Sequence, residues 1–447
     1  MPEMELQELK EKCLAAIDRN KEQIIELGQA IYQTPELGYK EFQTQKKAEE
    51  AFAGAGFTVE KNLAYTGCRA SSGRKDGPTV GVLGELDCIL CADHPDSQAG
   101  GNVHACGHNV QIANLFGCAL GLKESGALEE LGGNVEFLAV PAEECVDYDY
   151  RDSLIKKGEI QFYGGKQELV RRGKLDGTDL FLQCHMMEMP EGKRCTVDTD
   201  CNGFMTKIVR FTGKAAHAGF APDEGINALG MAQLALNNIN AVRETFRDED
   251  RVRVSVVLTE GGELVNVVPS TAALQIMVRA FTVEAILSAS AKVDRALKAG
   301  ALALGGKVEI HNRMGYLPMR TDRKLSKLYR ENMIRYGGAG EDSFVELYET
   351  AGSTDLGDLS QMKPCMHIWT EGVTGGLHSR DYRIDDLEKA YLQPAKMLAL
   401  TLIDLLYADA GKAKQILKEY DPVYTKEEYL HLLEDNSRVE IFDATGV

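Results

Sequence analysis

Pro78-Thr79-Val80-Gly81-Val82-Leu83 runs on to Glu85 and Asp87, a short apolar stretch that ends in carboxylates. Two later stretches repeat the pattern: Asn134-Val135-Glu136-Phe137-Leu138-Ala139-Val140 leads to Glu143 and Glu144, and Asp179-Leu180-Phe181-Leu182-Gln183-Cys184 leads to His185. Helical periodicity separates them, most clearly from Val110 to Leu122, where residues 112, 113, 115, 116, 119 and 120 make a broad apolar stripe. Strands alternating with helices predict an α/β layer with a mainly parallel sheet, and such sheets gather their sites beyond the carboxyl ends of the strands. Glu85, Asp87, Glu143, Glu144 and His185 all fall there.

Upstream, the first 60 residues carry helical spacing, interrupted at Thr34-Pro35-Glu36-Leu37-Gly38. Between residues 195 and 313 the order changes to strand (Phe204 to Phe211), helix (Ile226 to Val242), strand (Arg251 to Leu258), strand (Ala272 to Phe281), helix (Val283 to Leu304) and strand (Lys307 to His311). That is the β-α-β-β-α-β order of a ferredoxin-like module. After Gly315 the first pattern resumes, and the short strand Cys365-Met366-His367-Ile368-Trp369 precedes Gly375-Gly376-Leu377-His378. The expected organisation is a discontinuous catalytic body, residues 1–194 and 314–447, with residues 195–313 inserted as a separate module. The charged helical tail beyond Leu406 carries no recognisable chemistry.

Bulk composition narrows the function. The chain has 447 residues, 44% hydrophobic and 26% charged, which is ample for a catalytic core. A formal charge of −18 argues against a nucleic-acid or anionic-membrane surface. No segment approaches the roughly 18 uninterrupted apolar residues of a membrane span, and the acidic start lacks the pattern of a signal peptide. Eleven irregularly spaced cysteines suit reduced thiols in a cytoplasm. Cys88-Ile89-Leu90-Cys91 has no second pair at zinc-ribbon spacing and reads as incidental or merely oxidisable.

The chemistry centres on His104-Ala105-Cys106-Gly107-His108-Asn109 together with Pro141-Ala142-Glu143-Glu144. Cys106 and His108, two apart, converge from a loop that Gly107 allows to bend tightly. A thiolate, an imidazole and adjacent carboxylates are a donor set for a transition metal with one carboxylate left to act as a base. A Cys-His nucleophile pair is the rival, and it leaves the paired glutamates unexplained. His185 alone would pass for a core histidine and His378 for an exposed one. His104 is placed to orient a ligand. His217, Asn266 and Arg279 lie in the inserted module; Arg279 suits a substrate carboxylate, which guanidinium binds bidentately.

Taken together, the His104–Asn109 and Pro141–Glu144 motifs, His185, Gly213-Lys214-Ala215-Ala216-His217-Ala218, Asn266-Val267-Val268-Pro269 and His378 resemble the aminoacylase and carboxypeptidase-like amidohydrolases, the di-metal M20 peptidases. The resemblance spans about residues 20 to 400 and includes Pro35-Glu36-Leu37-Gly38-Tyr39. The Cys-containing motif is similar to the auxin-conjugate and aminobenzoyl-glutamate hydrolase subgroup, and Gly352-Ser353-Thr354-Asp355-Leu356-Gly357-Asp358 to its β-alanyl-lysine dipeptidase branch. It implies two divalent ions, Mn²⁺ or Zn²⁺, with Cys106 bridging, Glu144 and His378 completing one and His108 and His185 the other. Glu143 would be the general base for attack by a metal-bridging water. His217 would reach the partner subunit's site in a homodimer, making the module a dimerisation lid, while Asn266 and Arg279 would hold the acyl or carboxylate end. The implied substrate is an N-acyl amino acid or dipeptide such as an aminobenzoyl-glutamate-like compound. A dipeptidase preferring basic carboxyl-terminal residues, or a catalytically silent binding homologue, are the alternatives. Three features depart from the family pattern: Glu85-Leu86-Asp87 in place of Asp-x-Asp, a longer segment from Cys145 to about Gly173 in place of a glycine-rich stretch, and Ser379 after His378 where proline is common.

Overall fold

The computed structural model describes residues 2–71, 75–346 and 349–446. The chain forms two compact units, one of residues 1–200, 320–349 and 358–423, the other of residues 201–319, 350–357 and 424–447.

The first unit is built on an eight-stranded sheet. Its middle is parallel: Asn134–Val140 pairs with Thr79–Glu85, which pairs with Leu180–Met186, which pairs with Cys365–Thr370. All three apolar stretches are therefore neighbouring strands, and nearly every residue in them is buried, as expected where helices cover both faces. Two antiparallel strands, Thr58–Ala64 and Thr66–Ser71, extend one side. The helix His108–Glu124 is buried from His108 to Leu122, so its apolar stripe wraps the whole cylinder. Gly107, the residue before it, has φ 81°, and a Cβ there would lie 2.5 Å from the Tyr382 hydroxyl. Both facts require glycine.

The second unit holds the strand-helix-strand-strand-helix-strand order on an antiparallel sheet arranged Arg253–Glu260, Thr271–Ala280, Gly203–Thr212, Lys307–Met314 and Val439–Asp443. Two helices, Ala228–Val242 and Val283–Leu304, contribute apolar faces to its core. The division differs from the expected boundaries at two points. Cys195–Thr196 pairs in the eight-stranded sheet, so the change of unit comes at about residue 201. The carboxyl-terminal strand Val439–Asp443, expected to belong with residues 314–447, pairs instead with Lys307–His311. Its alternation of apolar and acidic residues is short and follows a charged helix, so only the pairing partner reveals it. No helix among the described residues is long and apolar enough to cross a membrane.

Candidate metal centre and active site

Several elements of the first unit deliver polar groups to the carboxyl end of the parallel sheet. Cys106 lies in the loop that Gly107 closes, His108 opens the buried helix, Glu143 and Glu144 follow one strand, and His185 is the penultimate residue of the next. His378 arrives from a turn in which its own φ is 59°, and its backbone N–H donates to Ala105 O at 2.9 Å. That bond ties the late turn to the Cys106 loop, across a separation in sequence that no local pattern discloses.

The side chains converge in two sets that share Cys106: Cys106, His108 and His185, and Cys106, Glu144 and His378, with ligand atoms in each set within 4.8 Å of one another. His378 Nε2 is 3.2 Å from Cys106 Sγ and 2.8 Å from Glu144 Oε1, and His185 Nε2 is 3.5 Å from the same sulfur. A carboxylate oxygen of Glu143 joins His108 and Glu144 in a further set of the same span.

The histidine rings are oriented from behind. His185 Nδ1 is 2.9 Å from Met186 O, and His108 Nδ1 is 2.8 Å from Asp87 O. A carbonyl oxygen only accepts, so Nδ1 donates in both rings, which turns Nε2 of each toward the cluster. Asp87 fixes two of the partners at once: Oδ1 lies 3.2 Å from His108 Nδ1, and Oδ2 accepts from Glu144 N at 2.8 Å. Glu85 is buried beneath, bonded to Lys166, Gln183 and Gln111, each at 2.7 Å. The sequence marked Glu85 as a weak match, and the structure gives it a set of neutralising partners instead of a place among the expected ligands.

These residues fit a cation. Burial pushes the Cys106 thiol well above its usual range, and the Glu144 and Glu143 carboxylates push it further. Burial opposes protonation of His108, but Glu85 and Asp87 outweigh it and lift the ring to about 9. His108 Nε2 is nonetheless buried without a hydrogen bond, although Glu85 Oε2 is 3.2 Å away. Burial pushes His185 down to about 3, which keeps its ring neutral and able to ligate. The Glu144 and Glu143 carboxylates beside the Cys106 sulfur oppose its ionisation, and a divalent ion held among these donors would offset that cost.

His104 is buried with neither ring nitrogen hydrogen-bonded, so it does not orient any of these ligands through a hydrogen bond of its own. In the second unit, His217 and Asn266 are brought together: His217 bridges to Val267, and Ala218 N donates to Asn266 O at 3.0 Å. Arg279 is not with them. It pairs across from Phe204, whereas the His217 loop follows Thr212 at the other end of the same strand. Eight residues of strand place the two ends about 25 Å apart.

Glu41, which the sequence did not single out, supports the glutamate turn. Its Oε1 accepts from Ala142 N and its Oε2 meets Thr66 Oγ1, both at 2.8 Å. Burial, reinforced by Asp87, raises its pKa from 4.5 to about 8. The folded protein holds this proton more tightly than the unfolded chain, so the group's contribution to stability is complete below pH 4.5 and is lost as pH rises through about 8. In metal-free protein, Glu41→Gln keeps both hydrogen bonds and removes the titration. Its melting temperature is expected to gain on wild type between about pH 5 and about pH 9; a pH-independent difference would contradict the assignment.

The family match and its relatives make this a hydrolase of amide or peptide bonds, built on a mainly parallel α/β sheet. The model of peptidase family M20/M25/M40 matches residues 90–404, and the chain belongs to that family. It is 27% identical over 423 residues to the Xaa-Arg dipeptidase of Mus musculus, covering 91% of each chain. It is 25% identical over 481 residues to a p-aminobenzoyl-glutamate hydrolase polypeptide of Escherichia coli (strain K12), covering 93% of this chain and 95% of that one. Among solved structures, the Bacillus subtilis YXEP protein, described as a dinuclear metal binding peptidase from the M20 family, superposes with a TM-score of 0.63 at 21% identity, covering 87% of this chain and 99% of that one.

Proposed function

We propose that the protein is a dinuclear metal-dependent amidohydrolase that cleaves the amide of an N-acyl amino acid or dipeptide with a free carboxylate. The observation that carries this reading is the pair of donor sets sharing Cys106. Cys106 would bridge the ions, with Glu144 and His378 on one and His108 and His185 on the other. Manganese and zinc both suit such donors. Ions held there polarise the scissile carbonyl and acidify water. Glu143 takes the proton of the attacking water and returns it to the leaving amine, a role for which its nearly buried carboxylate beside His108 and Glu144 is suited. Asp87 holds His108 and the Glu144 backbone in register while this happens.

The active assembly is a homodimer in which the second unit is the lid. His217 and Asn266 sit at one end of the sheet and Arg279 at the other, so a single site that uses all three draws them from two chains. The edge strand Arg253–Glu260 exposes Val257 and Leu258, 61% and 46% accessible, and a second copy of this chain would cover that edge. Arg279 and Asn266 hold the acyl or carboxylate end of the substrate. A reducing compartment, the cytoplasm, suits a bridging thiolate.

Of the substrate choices, dipeptides ending in a basic residue are favoured by the likeness to Xaa-Arg dipeptidases along nine-tenths of the chain, and aminobenzoyl-glutamate-like compounds are the second choice. Metal-free protein incubated with both, with and without Mn²⁺ or Zn²⁺, is expected to release free amino acid only when metal is added. Mass spectrometry of the products names the preferred residue. Release from neither, with metal binding demonstrated, would point to a silent binding homologue.

A further inference from the structure

The segment from Cys145 to Gly173 contains two helices, Tyr148–Lys156 and Gly165–Arg171. It sends a fully buried cation, Arg151, to the glutamate turn. Arg151 Nη2 donates to the carbonyl oxygen of Glu144, and Nη1 donates to Tyr163 O at 2.6 Å. The guanidinium also lies over the Tyr39 ring, 5.5 Å from its centre.

The backbone it grips is under strain. Ala142 has φ 54°, a left-handed conformation that is strained for an L-residue and persists only where its surroundings impose it. Three contacts impose it here: Glu41 accepts from Ala142 N, Gly165 N donates to Ala142 O at 3.1 Å, and Arg151 holds the carbonyl two residues on. Two of the three come from the Cys145–Gly173 segment. Gly38 leaves the space they need, since a Cβ there would run into the guanidinium and come within 2.9 Å of Ala142 Cα.

We propose that Arg151 is a positioning residue, and that the Cys145–Gly173 segment serves as a brace that fixes the directions of the Glu143 and Glu144 side chains. A guanidinium donating to two carbonyls in a buried site forms charge-assisted bonds of fixed geometry, which a merely space-filling side chain cannot supply. The turn then presents Glu144 to the cluster and Glu143 beside it without rearrangement. This rests on the roles proposed above for Glu143 and Glu144, so the test carries one readout that does not depend on turnover.

Arg151→Met preserves the stem and removes both donors. Affinity for Mn²⁺ or Zn²⁺, measured by competition with a chelating dye, is expected to weaken about 10-fold, and kcat to fall about 10- to 100-fold with KM within about 3-fold. Arg151→Lys, which can serve one carbonyl, is expected to recover part of both losses. A role limited to filling the interior would lower the melting temperature and leave metal affinity and kcat per folded molecule at wild type, which would overturn the proposal. If the methionine variant does not fold, the lysine variant decides by the same criterion. If wild type hydrolyses no amide, the amidohydrolase reading fails by itself, and unchanged metal affinity in the variants is what would overturn the brace.

Discussion

Glu143→Gln is expected to bind metal as wild type does and to lose about 10²- to 10⁴-fold in kcat. The substitution keeps the shape of the side chain and an acceptor oxygen, so the turn held by Glu41 and Arg151 has no reason to move. What it removes is the ability to accept a proton, and the amide of an N-acyl amino acid is hydrolysed only if a proton leaves water and reaches the departing nitrogen. Glu144→Gln provides the contrast. Glu144 belongs with Cys106 and His378, 2.8 Å from the latter's Nε2, so its variant should lose metal as well as rate. Metal content by elemental analysis, set beside kcat, separates the two glutamates. Residual turnover within 10-fold of wild type in metal-loaded Glu143→Gln would remove Glu143 from the role of base.

The parallel strands could be read from sequence because each is apolar throughout and ends abruptly in polar residues, the signature of a strand covered on both faces. The candidate ligands could be read because they sit at those ends. The inserted module was equally plain, since its strand and helix periods are long and regular. The supporting residues were hidden for a physical reason. Arg151, Lys166 and Glu41 occur among surface charges of the same types, and nothing local distinguishes a lysine that is to pair with buried Glu85 from one that faces solvent. Their identity depends on contacts between residues far apart in sequence, such as the 101-residue separation between Glu41 and Ala142. The closing strand Val439–Asp443 was missed on the same grounds.

The cross-subunit role proposed for His217 leads to the second large effect. Gly219 N and Phe220 N both donate to His217 Nδ1, at 3.2 and 3.0 Å, so that nitrogen is bare and the neutral ring carries its proton on Nε2. The ring is exposed, which leaves Nε2–H as a donor for an oxygen outside its own unit. A donor placed where a carbonyl oxygen gains negative charge contributes most in the transition state, and its loss in His217→Ala is expected to cost about 10²- to 10³-fold in kcat. If His217 serves the partner's centre, the defects of His217→Ala and Glu143→Gln lie in different chains and complement. Random exchange makes half of the dimers mixed, and each mixed dimer has one site with both groups intact and one with neither, so the mixture should regain about a quarter of wild-type activity. Recovery should follow subunit exchange in time, as measured by native mass spectrometry with one chain isotopically labelled. Complete exchange without recovery would confine His217 to its own chain or to no catalytic role, and the separation of His217 and Asn266 from Arg279 along the sheet would then need another explanation.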